Sequence, residues 1–382
     1  MSILPLWVLA LSLAQLPGNT PAPPPPLVQL ATAAPGPTYW ESYGHNSLVI
    51  RADEDRPGIS YNYGIFDFRQ ENFLLRFLAG RMLYRMAAFD ADEEAAGYLG
   101  RGRPILLQTL NLTPAEAWRL VEYLQTNAEP ANRDYRYDYF LSNCSTKIRD
   151  ALDHALDGRL QSRFGDVEAG VSFRRLARTY SSVVPWMDIG SSLALGRPTD
   201  RPISEWESFY IPDRLAAALE TMTGSNGQPL VTRSQTLGPA RAPLPSAPLW
   251  PWLAGGILLA AAAWLLRRRP GLTAVGWVAS GLVGLLLCGL LLTDHWAARW
   301  NENILVFSPL GLVLGFLLWT RRPPGPALLI AAALVPLCAL LLKLLPGSQQ
   351  NLEFLALALP PQLVGLFALS VNGKHRTAGQ TG

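Results

Sequence analysis

The pattern of apolar residues divides the chain into two halves. From Leu249 onward it contains five long apolar runs, and each predicts a membrane-spanning helix because about 20 apolar residues cross a bilayer. The runs cover residues 249–266, 272–293, 304–319, 327–345 and 354–371. The third run is short and Pro360-Pro361 interrupts the fifth, so we expect one of these two spans to be kinked or partly re-entrant.

Basic clusters between the runs predict the topology. They follow the first, third and fifth runs, at 267–269, 321–322 and 374–376, and therefore place those ends in the cytoplasm. The N-terminal half then lies outside the cytoplasm. An apolar stretch at 3–16 agrees, because it predicts a secretory signal peptide over residues 1–20. An uncleaved N-terminal anchor is the alternative. The Pro-rich stretch 21–37 is predicted to be an extended linker.

The polar half has the alternating and periodic patterns of a mixed domain. Residues 47–50, 59–68 and 135–140 have the β-branched and aromatic composition of strands. Thr113 and Glu116 form a capping box that predicts a helix over 114–127, and a second helix begins at Cys144. The prediction is an α+β domain over 38–225, a linker at 226–248, a five-helix transmembrane domain at 249–373 and a cytoplasmic tail at 374–382.

The distribution of charge excludes a wholly soluble protein. Only 12 of the 61 charged residues lie in the last 134 positions, and nine of those 12 are basic. The polar half has no basic stripe, so no nucleic-acid partner is predicted. Its single cysteine and two widely separated histidines lack metal-ligand spacing, and neither a metal site nor a cofactor is expected.

Cys144 is the candidate nucleophile. It begins a predicted helix after the capping residues Ser142 and Asn143, where free amides and the helix dipole lower a thiol pKa and bind an oxyanion. Lys147 and Arg149 in the first turns favour the thiolate as well. A buried structural cysteine is the alternative.

A nucleophilic cysteine needs a base, and His45 is the candidate. His154 lies ten residues into the same helix as Cys144, about 15 Å along its axis, which is too far for contact. Asn62 on the next strand is our choice for the group that orients the imidazole, with Tyr61 and Tyr63 as rivals.

Four motifs resemble the Lnb N-terminal periplasmic domain family. They are Tyr-Gly-His-Asn-Ser at 43–47 and the segments 61–68, 132–140 and 143–146. Segments 293–295 and 300–303 are similar to the membrane part of the same family. Ser142 departs from the family, in which an acidic residue is common at that position.

The resemblance implies a permuted papain-like fold, with the histidine strand before the cysteine helix, akin to lecithin-retinol acyltransferases and NlpC/P60 peptidases. It implies a lipoprotein N-acyltransferase of the Gram-negative inner membrane, multi-pass, with its N-terminal domain in the periplasm. A phospholipid would donate an acyl chain through a Cys144 thioester to a diacylglyceryl lipoprotein.

Six further residues are predicted to bind substrate. Tyr43, Asn143 and Arg149 flank the predicted catalytic groups. The other three, His295, Arg299 and Glu302, lie in the loop between the second and third apolar runs. Arg299 would bind the phosphate group of the donor phospholipid, because a planar guanidinium can donate two parallel hydrogen bonds to a phosphate.

The sequence allows two other function classes and two locations for one segment. A membrane-anchored NlpC/P60-like peptidase acting on the cell wall would use the same cysteine and histidine, whereas a non-catalytic envelope scaffold would need neither. Segment 72–86, apolar with three arginines, fits either the lipid headgroup zone or a core helix with extended arginines.

Overall fold

The computed structural model describes residues 23–240 and 248–378, with side chains up to residue 370. The predicted signal peptide at 1–20 lies outside these residues. The chain forms two compact units. The sheet unit comprises the residues up to Val184 and Pro202–Leu244, and the helical unit comprises Pro185–Arg201 and the residues from Pro245 onward.

An antiparallel sheet of seven strands organises the sheet unit. Its strands are β1 (Leu27–Ala33), β2 (His45–Arg51), β3 (Ile59–Ile65), β4 (Leu83–Asp90), β5 (Ile105–Leu110), β6 (Asp134–Arg136) and, last in sequence, the strand Val231–Leu237. A separate two-stranded sheet pairs β7 (Glu168–Ser172) with β8 (Pro202–Ser204), so Val231–Leu237 is β9. The order of the large sheet is β6-β4-β3-β2-β1-β5-β9. The predicted mixed α and β content is confirmed.

Helices accompany this sheet, and most of them contribute to one hydrophobic core. The helices of the sheet unit are α1 (Phe73–Ala79), α2 (Ala91–Gly100), α3 (Pro114–Ala128), α4 (Cys144–Ala155), α5 (Arg159–Phe164) and α6 (Phe173–Ser181). Two more follow later in the sequence, Glu205–Ser208 and Pro212–Glu220, after a helix that belongs to the helical unit. The predicted capping box is present, because Thr113 and Glu116 each accept from the other's backbone N–H at the start of α3. Leu120 and Leu124 of α3 meet Ile148 and Leu152 of α4 in the core.

Both predicted linkers contain strands, which is a correction to the sequence interpretation. Within 21–37, Leu27–Ala33 pairs with both β2 and β5 and is the buried strand β1. This strand was predicted to be linker because prolines precede it and because it contains Thr and Ala residues. Within 226–248, β9 pairs with β5. Most of its residues are exposed and polar, as is typical of an edge strand that avoids aggregation.

The strand predicted at 135–140 is shorter, because a turn interrupts it. Only Asp134–Arg136 pairs with β4. The Asp138 carboxylate accepts from the backbone N–H groups of Phe140 and Leu141, both at 2.9 Å, and this Asx turn leads the chain to the start of α4.

One helix from the N-terminal half of the sequence belongs to the helical unit. This helix, α7 (Pro185–Ala194), interrupts the domain predicted to run from 38 to 225. The carbonyl groups at its C-terminal end are unsatisfied by the helix itself and accept from side chains of the helical unit. Asn301 donates to the carbonyls of Leu193 and Ala194, and Gln349 donates to that of Leu195. Polar contacts of this kind leave no signature in hydrophobic periodicity.

The remaining helices of the chain are apolar or short. Glu205–Ser208 is numbered α8 and Pro212–Glu220 is numbered α9. The helices that follow are α10 (Trp250–Leu265), α11 (Pro270–Leu290), α12 (Asn303–Val306), α13 (Leu310–Trp319), α14 (Pro326–Leu341) and α15 (Leu352–Ala378).

Three of the five predicted spans are long and apolar enough to cross a membrane: Pro270–Leu290, Pro326–Leu344 and Leu352–Ser370. The other two are shorter apolar stretches, Trp250–Leu265 and Asn303–Trp319. The latter is divided into α12 and α13 around Ser308-Pro309. Pro360 and Pro361 lie inside α15 without ending it. The count of five spans therefore remains a prediction.

Candidate active site

Cys144 is the first residue of α4, as the capping pattern predicts. Asn143 precedes it as the N-cap: its Oδ1 accepts from the Thr146 backbone N–H at 2.9 Å, and its own N–H donates to Thr146 Oγ1 at 2.7 Å. The thiol is half-buried. It therefore lies in the first turn of a capped helix, where the helix dipole favours an anion.

His45 is the first residue of β2 and lies between Cys144 and Asn62. Its Nε2 is 2.7 Å from Asn62 Oδ1, which leaves Nδ1 as the nitrogen available to the Cys144 thiol. The antiparallel register pairs Ser47 with Asn62 and so brings the two strands together at this point. The structure thus brings all three predicted catalytic residues into one chain of contacts.

The two reactive groups favour each other's charged forms. Burial alone would raise the pKa of the Cys144 thiol, but the charge and hydrogen bond of His45, together with the backbone amides of Asn46 and Ser145, hold its pKa below the ordinary value. Burial alone would lower the pKa of His45, but Cys144, Glu94 and Asn62 together raise it. The electrostatics therefore favour a thiolate–imidazolium pair.

Asn62, rather than Tyr61 or Tyr63, contacts the imidazole. Successive residues of a strand point to opposite faces, and the two tyrosines point into the core that contains α3 and α4. The Asn62 Nδ2 group donates to the backbone carbonyl of Ser60 at 3.3 Å, to Ser60 Oγ at 3.1 Å and to Glu94 Oε2 at 3.1 Å. Because these acceptors hold its nitrogen, the amide oxygen faces His45.

Glu94 is a residue of the site that the sequence interpretation missed. It lies in the first turn of α2, beyond Asn62 as seen from His45. Asp90, which caps this helix, and the neighbouring Asp92 and Glu93 make the position typical of an ordinary acidic helix start. Only the fold of β3 against α2 reveals its role, so no local sequence signal could have found it.

Gly64 and Asn46 complete the surroundings of the thiol. A side chain at Gly64 would begin 3.4 Å from Cys144 Cβ, and its φ of +90° is one that other residues rarely adopt. Asn46 is fully buried, donates to Ser145 Oγ at 3.1 Å and so ties β2 to α4 beside the nucleophile.

The three substrate-binding candidates of the sheet unit have internal partners. Tyr43 packs edge-on against Tyr139, with ring centroids 4.7 Å apart. Asn143 caps α4 and donates to the Tyr210 carbonyl at 2.8 Å. Arg149 makes a two-point ion pair with Asp150 and lies over the ring of Trp206 at 3.9 Å. Each of these side chains supports the fold around the site.

The three candidates in the loop of the helical unit differ from one another. Glu302 is buried and pairs with Lys343, while Arg197 lies 3.8 Å from its other oxygen. In the structure the Glu302 carboxylate thus faces Lys343 and Arg197. The Arg299 side chain is exposed. The backbone N–H of His295 lies 3.4 Å from Thr293 Oγ1 as the loop enters a short 3₁₀ turn.

No group of three or more His, Cys, Asp or Glu side chains that could hold a metal ion occurs within residues 23–240 and 248–378.

The comparison with protein families gives one match. The family model described as the Lnb N-terminal periplasmic domain matches residues 25–179, which include β1 through α4 and all three predicted catalytic residues. It confirms the resemblance seen in the four motifs between residues 43 and 146, whereas segments 293–295 and 300–303 lie outside the match. No curated protein and no solved structure matches the chain.

Proposed function

Because residues 25–179 match the family model of the Lnb N-terminal periplasmic domain, we propose that the chain is a lipoprotein N-acyltransferase. In this proposal Cys144 carries an acyl chain from a phospholipid to the α-amine of a lipoprotein N-terminal cysteine. The observation that carries the proposal is the Cys144–His45–Asn62 constellation at the start of a capped helix. No cofactor takes part.

In the first half-reaction the Cys144 thiolate attacks the carbonyl carbon of a phospholipid ester. The resulting oxyanion develops beside the backbone amides of Asn46 and Ser145, which help to lower the pKa of Cys144 and so favour negative charge there. The imidazolium of His45 gives its proton to the leaving glycerol oxygen. The ester C–O bond breaks, a lysophospholipid leaves and Cys144 holds the acyl group as a thioester.

In the second half-reaction the roles of the imidazole reverse. The α-amine of a diacylglyceryl lipoprotein attacks the thioester carbonyl, and neutral His45 accepts the proton that the amine loses. The C–S bond breaks, the amide forms and the thiolate–imidazolium pair is restored. Asn62 keeps Nδ1 of the imidazole directed at the reacting atoms throughout, because it binds Nε2.

The proposal includes a membrane topology and a fold type. The helical unit spans the bacterial inner membrane five times, with the basic clusters at 267–269 and 321–322 in the cytoplasm and the sheet unit in the periplasm. The histidine strand precedes the cysteine helix in the chain, as a permuted papain-like fold requires.

A cysteine peptidase of the NlpC/P60 type is the second candidate. The same three residues suit it, because a thiolate, a histidine and an orienting asparagine also cleave amides. Water rather than a lipoprotein amine would then release the acyl-enzyme.

Mass spectrometry of lipoprotein N-termini tests the proposal. Membranes that contain the full chain are expected to yield lipoproteins whose N-terminal cysteine carries an added amide-linked acyl chain, and the Cys144→Ala variant is expected to yield free amines. Free amines with the unaltered chain, together with release of cell-wall peptides, would refute the transferase and support the peptidase.

A further inference from the structure

The short helix α1 presents its apolar side chains to solvent. None of its seven residues is buried, and Leu74 and Leu75 are each 65% exposed. Leu78 and Phe77 are exposed as well. The structure therefore excludes the core helix that the sequence left open for segment 72–86. Exposed apolar side chains this close together mark an interaction site.

Aromatic residues from two other parts of the sheet unit extend this surface. Trp40 is 59% exposed and Phe68 is 63% exposed. Phe66 lies between them, with ring centroids 6.4 Å from Trp40 and 4.9 Å from Phe68, and Phe68 reaches Phe73 of α1 at 5.1 Å. We call the surface formed by Trp40, Phe68, Leu74, Leu75 and Leu78 the apolar face.

The charges around the apolar face are predominantly basic. From Phe66 to Phe89 the chain has four arginines and two acidic residues. Arg69 pairs with Asp67 and Arg85 pairs with Asp134, and the other two arginines are Arg76 and Arg81. Arg81 is exposed, and Arg76 is partly exposed within α1. A leucine and aromatic surface bordered by arginines is complementary to the acyl boundary and phosphate groups of a bilayer.

A series of aromatic rings connects the apolar face with the nucleophile. Phe66 contacts Tyr84 at 5.2 Å, and Tyr84 stacks on Tyr137 at 4.1 Å. Burial raises the pKa of Tyr137, and the charge of Cys144 adds to this increase. Gly64, against Cys144, is two residues before Phe66.

We propose that the apolar face docks on the surface of a phospholipid bilayer, and that the rings from Phe66 to Tyr137 form the path by which a donor acyl chain reaches Cys144. The chain's own apolar helices keep this bilayer at high local concentration. The part concerning the acyl chain rests on the proposed acyltransferase function, whereas the docking itself does not.

Spin-label accessibility on the full chain in nanodiscs tests the docking. A nitroxide is attached at Leu75→Cys or Leu78→Cys in a background with Cys144, Cys288 and Cys338 replaced by alanine, and Glu122→Cys on the exposed side of α3 is the matched control. We expect the labels at 75 and 78 to be relaxed by oxygen and shielded from a water-soluble nickel chelate. The control label should show the opposite. Phosphatidylglycerol should increase the shielding relative to phosphatidylcholine alone, and Arg76→Gln/Arg81→Gln should remove this increase.

Two results would overturn the docking proposal. If the nickel chelate relaxed the labels at 75 and 78 as strongly as the label at 122, the apolar face would be exposed to water. Shielding from both oxygen and nickel would show that another protein surface covers it. Because the background lacks Cys144, neither result depends on the acyl-transfer chemistry.

An activity measurement tests the path to Cys144. In Leu74→Ser/Leu75→Ser/Leu78→Ser, acylation of Cys144 by bilayer phospholipid should fall about tenfold or more, while its alkylation by iodoacetamide stays unchanged. The control Trp118→Ser removes an exposed aromatic from α3 and should change neither rate. Unchanged acylation in the triple variant would overturn this part of the proposal. Absence of acylation in the unaltered chain would instead refute the proposed function.

Discussion

The Nε2 atom of His45 lies 2.7 Å from Oδ1 of Asn62, and this contact determines which nitrogen of the imidazole faces Cys144. Because the Asn62 nitrogen is held by Ser60 and Glu94, the amide cannot turn without losing those bonds. In the proposed function, Asn62 is therefore a positioning residue that acts through the orientation of His45.

Replacement of Asn62 by alanine should reduce the rate of acyl transfer. A hydrogen bond to a charged group contributes about 1.5–3 kcal/mol, which corresponds to a loss of about 10- to 100-fold in rate. The initial rate of N-acylation in proteoliposomes measures this loss. Asn62→Asp, which keeps an acceptor oxygen toward His45, should retain more activity than Asn62→Ala. Equal rates for Asn62→Ala and the unaltered chain would contradict the assigned role.

Glu94→Gln should move the pH dependence of Cys144 acylation. The Glu94 charge helps to raise the pKa of His45, so its removal lowers that pKa, and the imidazolium that protonates the leaving oxygen is lost at lower pH. The alkaline limb of the pH–rate profile for thioester formation should therefore shift to lower pH. The hydrogen bond from the Asn62 nitrogen is retained, because the amide oxygen of Gln accepts it. A lower rate at every pH with an unmoved limb would indicate a structural role only.

Alkylation of Cys144 by iodoacetamide should be rapid below the ordinary thiol pKa. Since the Cys144 pKa is lowered by His45 and the two amides, its thiolate persists to lower pH than in an ordinary cysteine. In His45→Gln the opposing effect of burial dominates, so the pKa should rise and the rate at neutral pH should fall. The pH profile is measured with Cys288 and Cys338 replaced by serine. Identical profiles with and without His45 would exclude the ion pair.

Glu302→Gln should destabilise the helical unit. Glu302 is buried and paired with Lys343, and removal of one member of a buried pair costs about 3–5 kcal/mol because the other charge stays buried. Thermal unfolding of the chain in detergent measures the effect. The double variant Glu302→Gln/Lys343→Met should recover much of the loss, whereas Arg299→Ala, at an exposed position, should leave the unfolding temperature nearly unchanged. A single variant as stable as the unaltered chain would contradict this account of the pair.

The parts of the structure that sequence could predict are those with local signals. Cys144 follows a capping residue, His45 begins a strand, and elimination of His154 by helix geometry leaves one base. Glu94 has no such signal, because its partner Asn62 comes from a strand 32 residues earlier. The assignment of α7 to the helical unit depends on amide side chains more than 100 residues away, at Asn301 and Gln349. Strand β1 was missed because prolines precede it.

The most direct test of the central claim is to find the acyl group on Cys144. The full chain is incubated in nanodiscs with an alkyne-labelled phospholipid without lipoprotein acceptor, and the peptide that contains Cys144 is analysed by mass spectrometry before and after neutral hydroxylamine, which cleaves thioesters. The account predicts a hydroxylamine-sensitive acyl group on Cys144 that is absent in Cys144→Ala and disappears when a lipoprotein amine is added. N-acylation of lipoprotein by Cys144→Ala at the rate of the unaltered chain would contradict it.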